Sequence, residues 1–268
     1  MGLIDQILGS GDIQIVAFCV ALYCLLGLLF YNLFKIALRK ITIKGDSYYG
    51  VTIIGTLVSV NAVLLVFVLV QSVSTVQQIN GVVKRELETI YSLERVMAPL
   101  QSESMNQIKP YLKAYLTSIV NREWAFMKTT ERDEVTEQLL DDLVVSIKTF
   151  SPQNLSETKT KEDLKGILKD MIEARFDRLK YKGKNLAEVF YYSVFFMQIL
   201  LVFHFFILTS KTAFSQLILT IHMATLGTLF GLVLVYDRPF EGRSGIHASE
   251  FSPMITRLDD LMGGEYNQ

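Results

Sequence analysis

Apolar residues fall into four long blocks along the chain, and none of the blocks contains a charged side chain. The blocks run from about Ile13 to Phe34, Val51 to Val73, Val189 to Ser210 and Ala213 to Tyr236. Roughly 20 consecutive apolar residues are enough to cross the ~30 Å hydrocarbon layer of a bilayer, and every block reaches that length. The pattern therefore predicts four transmembrane helices, with a lipid bilayer as the chain's surroundings.

Charged residues dominate between the second and third blocks, where apolar residues recur at steps of three and four. This spacing places them on one face of a helix. It predicts that the second span continues as one helix up to Pro99, with Ile79, Val83, Leu87, Ile90, Leu93 and Met97 on its apolar face. Pro110 suits the first turn of the next helix.

Three further helices are predicted in the central segment by the same spacing. Their apolar faces are Leu112, Leu116, Ile119 and Trp124; then Val135, Leu139, Leu143 and Ile147; then Leu164, Leu168, Met171, Ile172, Phe176 and Leu179. No stretch alternates like a strand. The predicted fold is therefore an all-α membrane protein. It has a first transmembrane pair in residues 1–73, a helical extramembrane domain in 74–188, a second transmembrane pair in 189–236 and a short tail in 237–268.

Composition narrows the function classes further. Half of the 268 residues are apolar and the formal net charge is −1, so no global field attracts nucleic acid. The sequence lacks HExxH, CxxC and P-loop motifs. Cys19 and Cys24 point in different directions on one predicted helix, and we interpret His204, His222 and His247 as packing or interfacial donors. We expect no enzyme activity, no metal site and no cofactor.

Basic residues are distributed unevenly around the spans. The first connection carries Lys35, Arg39, Lys40 and Lys44 against Asp46. Short basic loops stay in the cytoplasm, so this connection predicts that the N-terminus and the central domain lie outside it. A second basic run before the third block favours the opposite orientation, but its loop exceeds the length over which the rule works well.

The second block carries two stripes of residues at helical spacing. Gly55 and Ser59 are small, and small residues let membrane helices approach closely. The other stripe, called the Asn61 stripe below, consists of Asn61, Leu65, Val68, Ser72 and Thr75. If this stripe faced a central axis, its apolar pair would form a constriction that gates by dewetting. The alternative is that Asn61 bonds a neighbouring helix and the other residues pack.

The fourth block carries a close-packing signal and then ends abruptly. Gly227 and Gly231 form a GxxxG pair, which is typical of helices in close contact. The string "VYDRPFEGRSGIHASEF" follows, from Val235 to Phe251.

Within that string, Asp237 falls at a helix C-terminus, where the helix dipole disfavours an acid. Pro239 stops the helix. The predicted topology puts Arg175 and Arg178 on the same side of the membrane as Asp237. We therefore predict an ion pair that locks the end of the fourth span to the central domain. A solvated helix end is the alternative.

Four stretches together resemble a known family. They are "YYGVTIIGTLVSVNAVLLVFVLVQ" (Tyr48 to Gln71), "YLKAYLTSIVNREWAFM" (Tyr111 to Met127), "ARFDRL" before the third span and "DRPFEGRSGIHASEF" (Asp237 to Phe251). They resemble the bestrophin-like domain family of bacterial membrane proteins, which implies a bacterial plasma membrane location. Bestrophins share the order of two spans, helical domain and two spans, with that domain in the cytoplasm. They are pentameric anion channels whose second span lines the pore.

The resemblance implies a homo-oligomeric ring, possibly of five copies, that handles ions through a pore lined by the second span. A non-conducting membrane sensor or scaffold, whose helical domain binds a partner, is the alternative. The Asn61 stripe distinguishes the two hypotheses. A stripe that faces a solvent axis favours the channel, whereas a stripe buried against the third or fourth span favours the scaffold.

Overall fold

The computed structural model describes residues 11–38, 47–98, 103–129, 131–183, 186–208 and 212–263, and the side chains of 47–51, 103–106, 208 and 263 lie outside this description. Within these ranges the chain is helical and contains no strand. The helices are α1 (Asp12–Ala37), α2 (Ser47–Met97), α3 (Glu103–Ser118), α4 (Trp124–Phe126), α5 (Glu134–Thr149), α6 (Leu155–Leu179), α7 (Glu188–Leu208), α8 (Ala213–Tyr236) and α9 (Ser252–Gly263). A π-helical turn (Ile119–Glu123) precedes α4, and a 3-10 turn (Ala248–Phe251) precedes α9.

Four of these helices are long and apolar enough to cross a membrane, namely α1, the apolar part of α2, α7 and α8. The predicted all-α class with four spans is therefore confirmed. The helix α2 has 51 residues and continues past the apolar block, as predicted.

The chain divides into two compact units, Met1–Val76 with Asn185–Gly245 and Gln77–Lys184 with Ile246–Gln268. We call them the first and second unit. Within the predicted tail, residues 237–245 belong to the first unit and residues 246–268 to the second.

The first unit contains α1, α7, α8 and the N-terminal part of α2. One apolar cluster combines buried side chains from all four helices: Tyr23, Tyr31, Ile54, Leu65, Val194, Leu201, Val202, Phe205, Phe206, Leu219, Met223 and Leu226. A smaller cluster consists of Ile15, Cys19 and Val235. Aromatic rings meet edge to face within the larger cluster, as between Tyr31 and Phe206 at 5.6 Å, an arrangement that contributes about 0.5–1.5 kcal/mol beyond area burial.

Helices α1 and α8 approach each other most closely at two glycines of α8. A Cβ atom on Gly227 would lie 2.9 Å from Val20 Cα, and one on Gly231 would lie 2.8 Å from Val16 Cα. Both distances are shorter than carbon contacts in packed proteins, so a larger residue would push the two backbones apart. These residues of the predicted GxxxG pair therefore lie against another helix of the same chain.

The second unit contains the C-terminal part of α2 together with α3 to α6 and α9. Its core is built from helix faces close to those predicted, with two differences in register. On α5 the buried residues are Thr136, Leu140, Leu143 and Ile147, so the predicted Val135 and Leu139 stand one position off the buried face. The reason is a polar contact, since the Thr136 hydroxyl bonds the carboxylate of Asp133 at 2.6 Å and the hydroxyl of Ser118 at 2.6 Å.

Two further expectations about the second unit were wrong. Helix α3 begins at Glu103, so Pro110 lies inside the helix rather than in its first turn. On α6, Ile172 and Phe176 are exposed although their spacing predicted burial, and the arginines Arg175 and Arg178 are buried in their place. Burial of these charges requires partners, which are described below.

Candidate functional site

Helix α2 presents one outward face to the surroundings of the first unit. Six residues on it, at steps of three and four, are exposed, namely Thr52, Thr56, Ser59, Val63, Val66 and Val70, and the next residue on the same face, Ser74, is partly exposed. The hydroxyls at one end are satisfied within the helix, because Thr56 donates to Thr52 O at 3.0 Å and Ser59 donates to Gly55 O at 2.8 Å. This face is thus polar at both ends and apolar in the middle.

Although α2 also exposes Ile53 and Phe67 beside this face and α8 exposes Thr225 and Thr228, the exposed positions of the other long helices in the first unit carry larger side chains. Large apolar side chains dominate them: Leu22, Leu25, Leu29 and Leu33 on α1, Tyr192, Phe195 and Phe196 on α7, and Phe214, Leu217 and Ile221 on α8. Such side chains suit contact with lipid tails. The small and hydroxylated residues of α2 are the type that membrane helices use to approach one another or an aqueous path.

The Asn61 stripe lies on the opposite face of α2. Asn61, Leu65, Val68 and Ser72 are buried within the single chain, and Thr75 is partly exposed. Leu65 belongs to the apolar cluster that includes side chains of α7 and α8. This placement is what the scaffold hypothesis expected of the stripe, and its role in lining a pore stays a prediction.

The small residues predicted for helix packing separate into two pairs. Gly227 and Gly231 contact α1, as described above. A Cβ atom on Gly55 would meet nothing within 4 Å, and Ser59 is exposed beside it. The second pair therefore leaves an uncovered surface on α2, at its polar end.

Asp237 forms the C-cap of α8, and its carboxylate has partners within the first unit. The backbone N–H of Leu186 donates to it at 2.6 Å, and the Tyr191 hydroxyl donates to its other oxygen. Burial raises the pKa of Asp237 above its usual range, although hydrogen bonds from Tyr191 and Leu186 and the charge of Arg238 act in the opposite direction. Pro239 is buried just beyond the end of the helix.

Both arginines of the predicted lock have carboxylate partners inside the second unit. Arg178 donates through Nε to Glu86 at 2.6 Å and through Nη2 to Glu123 at 2.6 Å. Arg175 donates through Nε to the same Glu123 at 3.1 Å. The structure thus gives both sides of the predicted lock different partners. Glu86, Glu123, Arg175 and Arg178, called the ion quartet below, balance two negative and two positive charges, so the arginines need no further acid.

The surroundings of the ion quartet are almost fully closed to solvent. The Arg178 side chain is 0% exposed, and its guanidinium carbon lies 5.4 Å from the centre of the Trp124 ring. Burial raises the pKa of Glu123, but the charges of Arg178 and Arg175 outweigh that effect and hold the pKa below its usual range. The quartet joins α2, the turn before α4, and α6.

Sequence reasoning missed both acids of the quartet. The signal was present in the spacing, because Glu86 occupies a position between Val83 and Ile90 on the apolar face of α2. Glu123 likewise precedes Trp124 on a predicted apolar face. An acid at a position that periodicity assigns to the core indicates a buried cation elsewhere, and the two arginines of "ARFDRL" supply it.

Comparison with known proteins places the chain in a family context. A profile of the Bestrophin-like domain family matches residues 49–251. Two crystal structures of a bacterial bestrophin homolog from Klebsiella pneumoniae, each with a point mutation, are similar with TM-scores of 0.66 and 0.67. Both are 14% identical, and the alignments cover 92% of this chain and 99% of theirs. Another, described as a membrane protein, has a TM-score of 0.67 at 14% identity over 93% of this chain and 98% of that chain. A search of curated proteins found no match.

Proposed function

The chain belongs to the bestrophin-like family, and from this membership we propose that it forms a homo-oligomeric, ion-channel-like membrane protein with α2 at the pore. The proposal combines the family resemblance, which implies a channel, with the face that α2 leaves uncovered. The proposed function assigns no residue a catalytic role.

The single observation that carries the proposal is the sequence of residues along the outward face of α2. Thr52, Thr56 and Ser59 stand at one end, Val63, Val66 and Val70 in the middle, and Ser74 at the other end. A ring of such faces would form two hydrated vestibules around an apolar constriction, which is a recurrent way to gate by dewetting. The proposed lining is therefore this face and not the Asn61 stripe.

Burial of the Asn61 stripe keeps a second candidate open. A sensor or scaffold would use the stripe only for packing, and the burial of Leu65 in the cluster of the first unit favours that use. The two candidates differ in what they require of the outward face, since only the channel needs it to meet water.

Serine substitutions on opposite faces of α2 test the channel. We expect Val66→Ser to raise ion flux in liposomes severalfold, because a hydroxyl in the constriction lowers the cost of wetting it. The matched change Leu65→Ser places a hydroxyl in the buried cluster, so we expect lower thermal stability and no comparable rise in flux. If Val66→Ser is folded and oligomeric but leaves flux unchanged, the outward face does not line a conducting pore.

The oligomer is proposed as a closed ring, with five copies as the stoichiometry that the family resemblance implies. Closed symmetry is the common outcome when one surface of a subunit meets a different surface of the next. Mass photometry of the detergent-solubilised protein measures the number of subunits directly. A monodisperse monomer is incompatible with both the ring and the pore.

The proposed orientation follows the charge of the first connection, which places Lys35, Arg39, Lys40 and Lys44 in the cytoplasm and the helical domain outside it. The family resemblance implies the opposite. A reporter fused after residue 268 distinguishes them, because the C-terminus follows an even number of spans. A phosphatase fusion that is active supports an extracytoplasmic domain, and an inactive one with an active cytoplasmic reporter overturns it.

A further inference from the structure

A groove lies between α5 and α6 in the second unit. Its volume is about 530 Å³, which is within the range of small-molecule sites. Its apolar wall consists of Leu140 and Val144 from α5 and Ile172 and Phe176 from α6. The exposed fraction of Phe176 is 61%, so a large aromatic surface is available within the groove.

Charged groups in the wall balance in number. The bases are Arg132, Arg175, Lys180 and Lys182, and the acids are Glu123, Asp133, Glu137 and Asp141. Because the wall has no net formal charge, a ligand with net charge gains little from it. A ligand that carries both signs can be stabilised at two places at once.

Several of these charges already have partners in the protein. Asp133 accepts from Arg122 at 3.3 Å, and Lys180 pairs with Asp177 at 2.7 Å. Among the described residues, no ion pair or side-chain hydrogen bond is recorded for Arg132, Glu137 or Asp141. These three residues are therefore available to a ligand, together with Lys182, whose ammonium group lies 5.7 Å from the centre of the Phe126 ring.

Arg175 adds a buried donor to the groove. The residue is 9% exposed and uses Nε and Nη2 to bond one oxygen of Glu123. A guanidinium has five N–H groups, and those on Nη1 have no acceptor among the residues that the structure describes. An arginine that is nine-tenths buried, lines a cavity and keeps free donors is suited to hold a carboxylate.

We propose that this groove binds a small zwitterion with an apolar body, of the class of amino acids with aliphatic or aromatic side chains. The carboxylate bonds Nη1 of Arg175 with support from Arg132. The ammonium group lies against Glu137 or Asp141, and the apolar body packs on Phe176.

Binding at this groove has a consequence for the proposed channel. Arg175 shares Glu123 with Arg178, and Arg178 also holds Glu86 of α2. A carboxylate bonded to Nη1 of Arg175 adds a negative charge beside Glu123 and so changes the charge balance on the path to α2. This consequence rests on the proposed function, whereas the binding itself does not.

Three matched probes test the charge requirement on the full-length protein in nanodiscs. They are L-phenylalanine, 3-phenylpropanoate, which lacks the ammonium group, and phenethylamine, which lacks the carboxylate. Isothermal titration is expected to show phenylalanine binding, with each analogue weaker by about tenfold or more, as follows from losing one charge-assisted interaction. Equal binding of either analogue, or no binding of phenylalanine at millimolar concentration, overturns the proposal.

Two tryptophan variants test the location. Val144 lines the groove, so Val144→Trp is expected to abolish phenylalanine binding by filling it. The neighbouring Val145 points to a different cleft, so Val145→Trp adds the same bulk and is expected to keep the affinity within about twofold. Unchanged binding in a folded Val144→Trp protein overturns the site. Ion flux plays no part in this measurement, so a failure of binding and a failure of conduction remain distinguishable.

Discussion

Replacing Arg178 by methionine tests how the ion quartet stabilises the second unit. Methionine matches the arginine side chain as far as the Nε position and has no charge, so the change removes one cation from a fully buried site. Arg178 donates three hydrogen bonds to carboxylates, two to Glu86 and one to Glu123. Without Arg178, Glu123 keeps its bond from Arg175. Glu86 is left as a buried carboxylate that no arginine bonds.

The expected cost is about 3–5 kcal/mol in the free energy of unfolding, the range typical for removing one partner of a buried ion pair. The control is Lys165→Met on the same helix, because Lys165 pairs with Glu162 at 2.8 Å with both side chains largely exposed. Exposed pairs contribute about 0–1 kcal/mol. Both variants remove one cation from α6, and the contrast between them measures what burial and the second carboxylate partner add to the Arg178 interactions.

Urea unfolding followed by tryptophan fluorescence measures both variants, because the chain has one tryptophan and it lies beside Arg178. Loss of the cation also changes the starting fluorescence, so stability is read from the position of the transition, which we expect at lower urea concentration in Arg178→Met. The double variant Glu86→Gln with Arg178→Met should regain at least about 1 kcal/mol of the loss, because it removes the unpaired acid. If Arg178→Met unfolds within about 1 kcal/mol of Lys165→Met, the quartet does not stabilise the unit as argued here.

Three further predictions concern other parts of the structure. Gly231→Ala should lower the thermal stability of the first unit because its Cβ meets Val16 Cα at 2.8 Å, whereas Gly55→Ala, in open space, should leave it unchanged or raise it by about 0.5–1 kcal/mol; equal melting temperatures would contradict the packing. Tyr191→Phe removes the hydroxyl that bonds Asp237 and should cost about 1.5–3 kcal/mol, measured by thermal unfolding against the exposed neighbour Tyr192→Phe, and equal effects would show that the bond is unimportant. The lowered pKa of Glu123 contributes stability above its unfolded pKa of about 4.3 that is lost as the pH falls through the folded pKa; acid unfolding should therefore be shallower in Glu123→Gln, and an unchanged profile would contradict this.

The spans and the continuous α2 could be predicted because apolar periodicity depends only on local sequence. The residues of α5 and α6 that face the core could not be predicted in this way, because polar contacts determine which side of each helix is buried. Thr136 turns inward to bond Asp133, and Arg175 and Arg178 turn inward to meet acids far along the chain. Phe176 is then left outside although its spacing is that of a core residue.

The candidate pore residues on α2 show a second property that the sequence alone could not predict. Periodicity identified two faces of α2 but could not say which one the rest of the chain covers. That choice depends on how α7 and α8 pack, and Leu65 is buried because their side chains complete the same cluster. A polar–apolar–polar order occurs on both faces, so composition alone could not separate them.

The distance along the chain between Glu86 and its partner has a consequence for biogenesis. The two residues are separated by 92 positions, and contacts this far apart form only after the intervening segment has been made. A nascent chain that ends before Arg178 holds two acids that no arginine of the quartet yet neutralises, so they must stay hydrated. Arg175 and Arg178 are therefore synthesised only a few residues before α7, which begins at Glu188. Completion of the helical core and membrane insertion of the second pair of spans are thereby brought close together in time during synthesis.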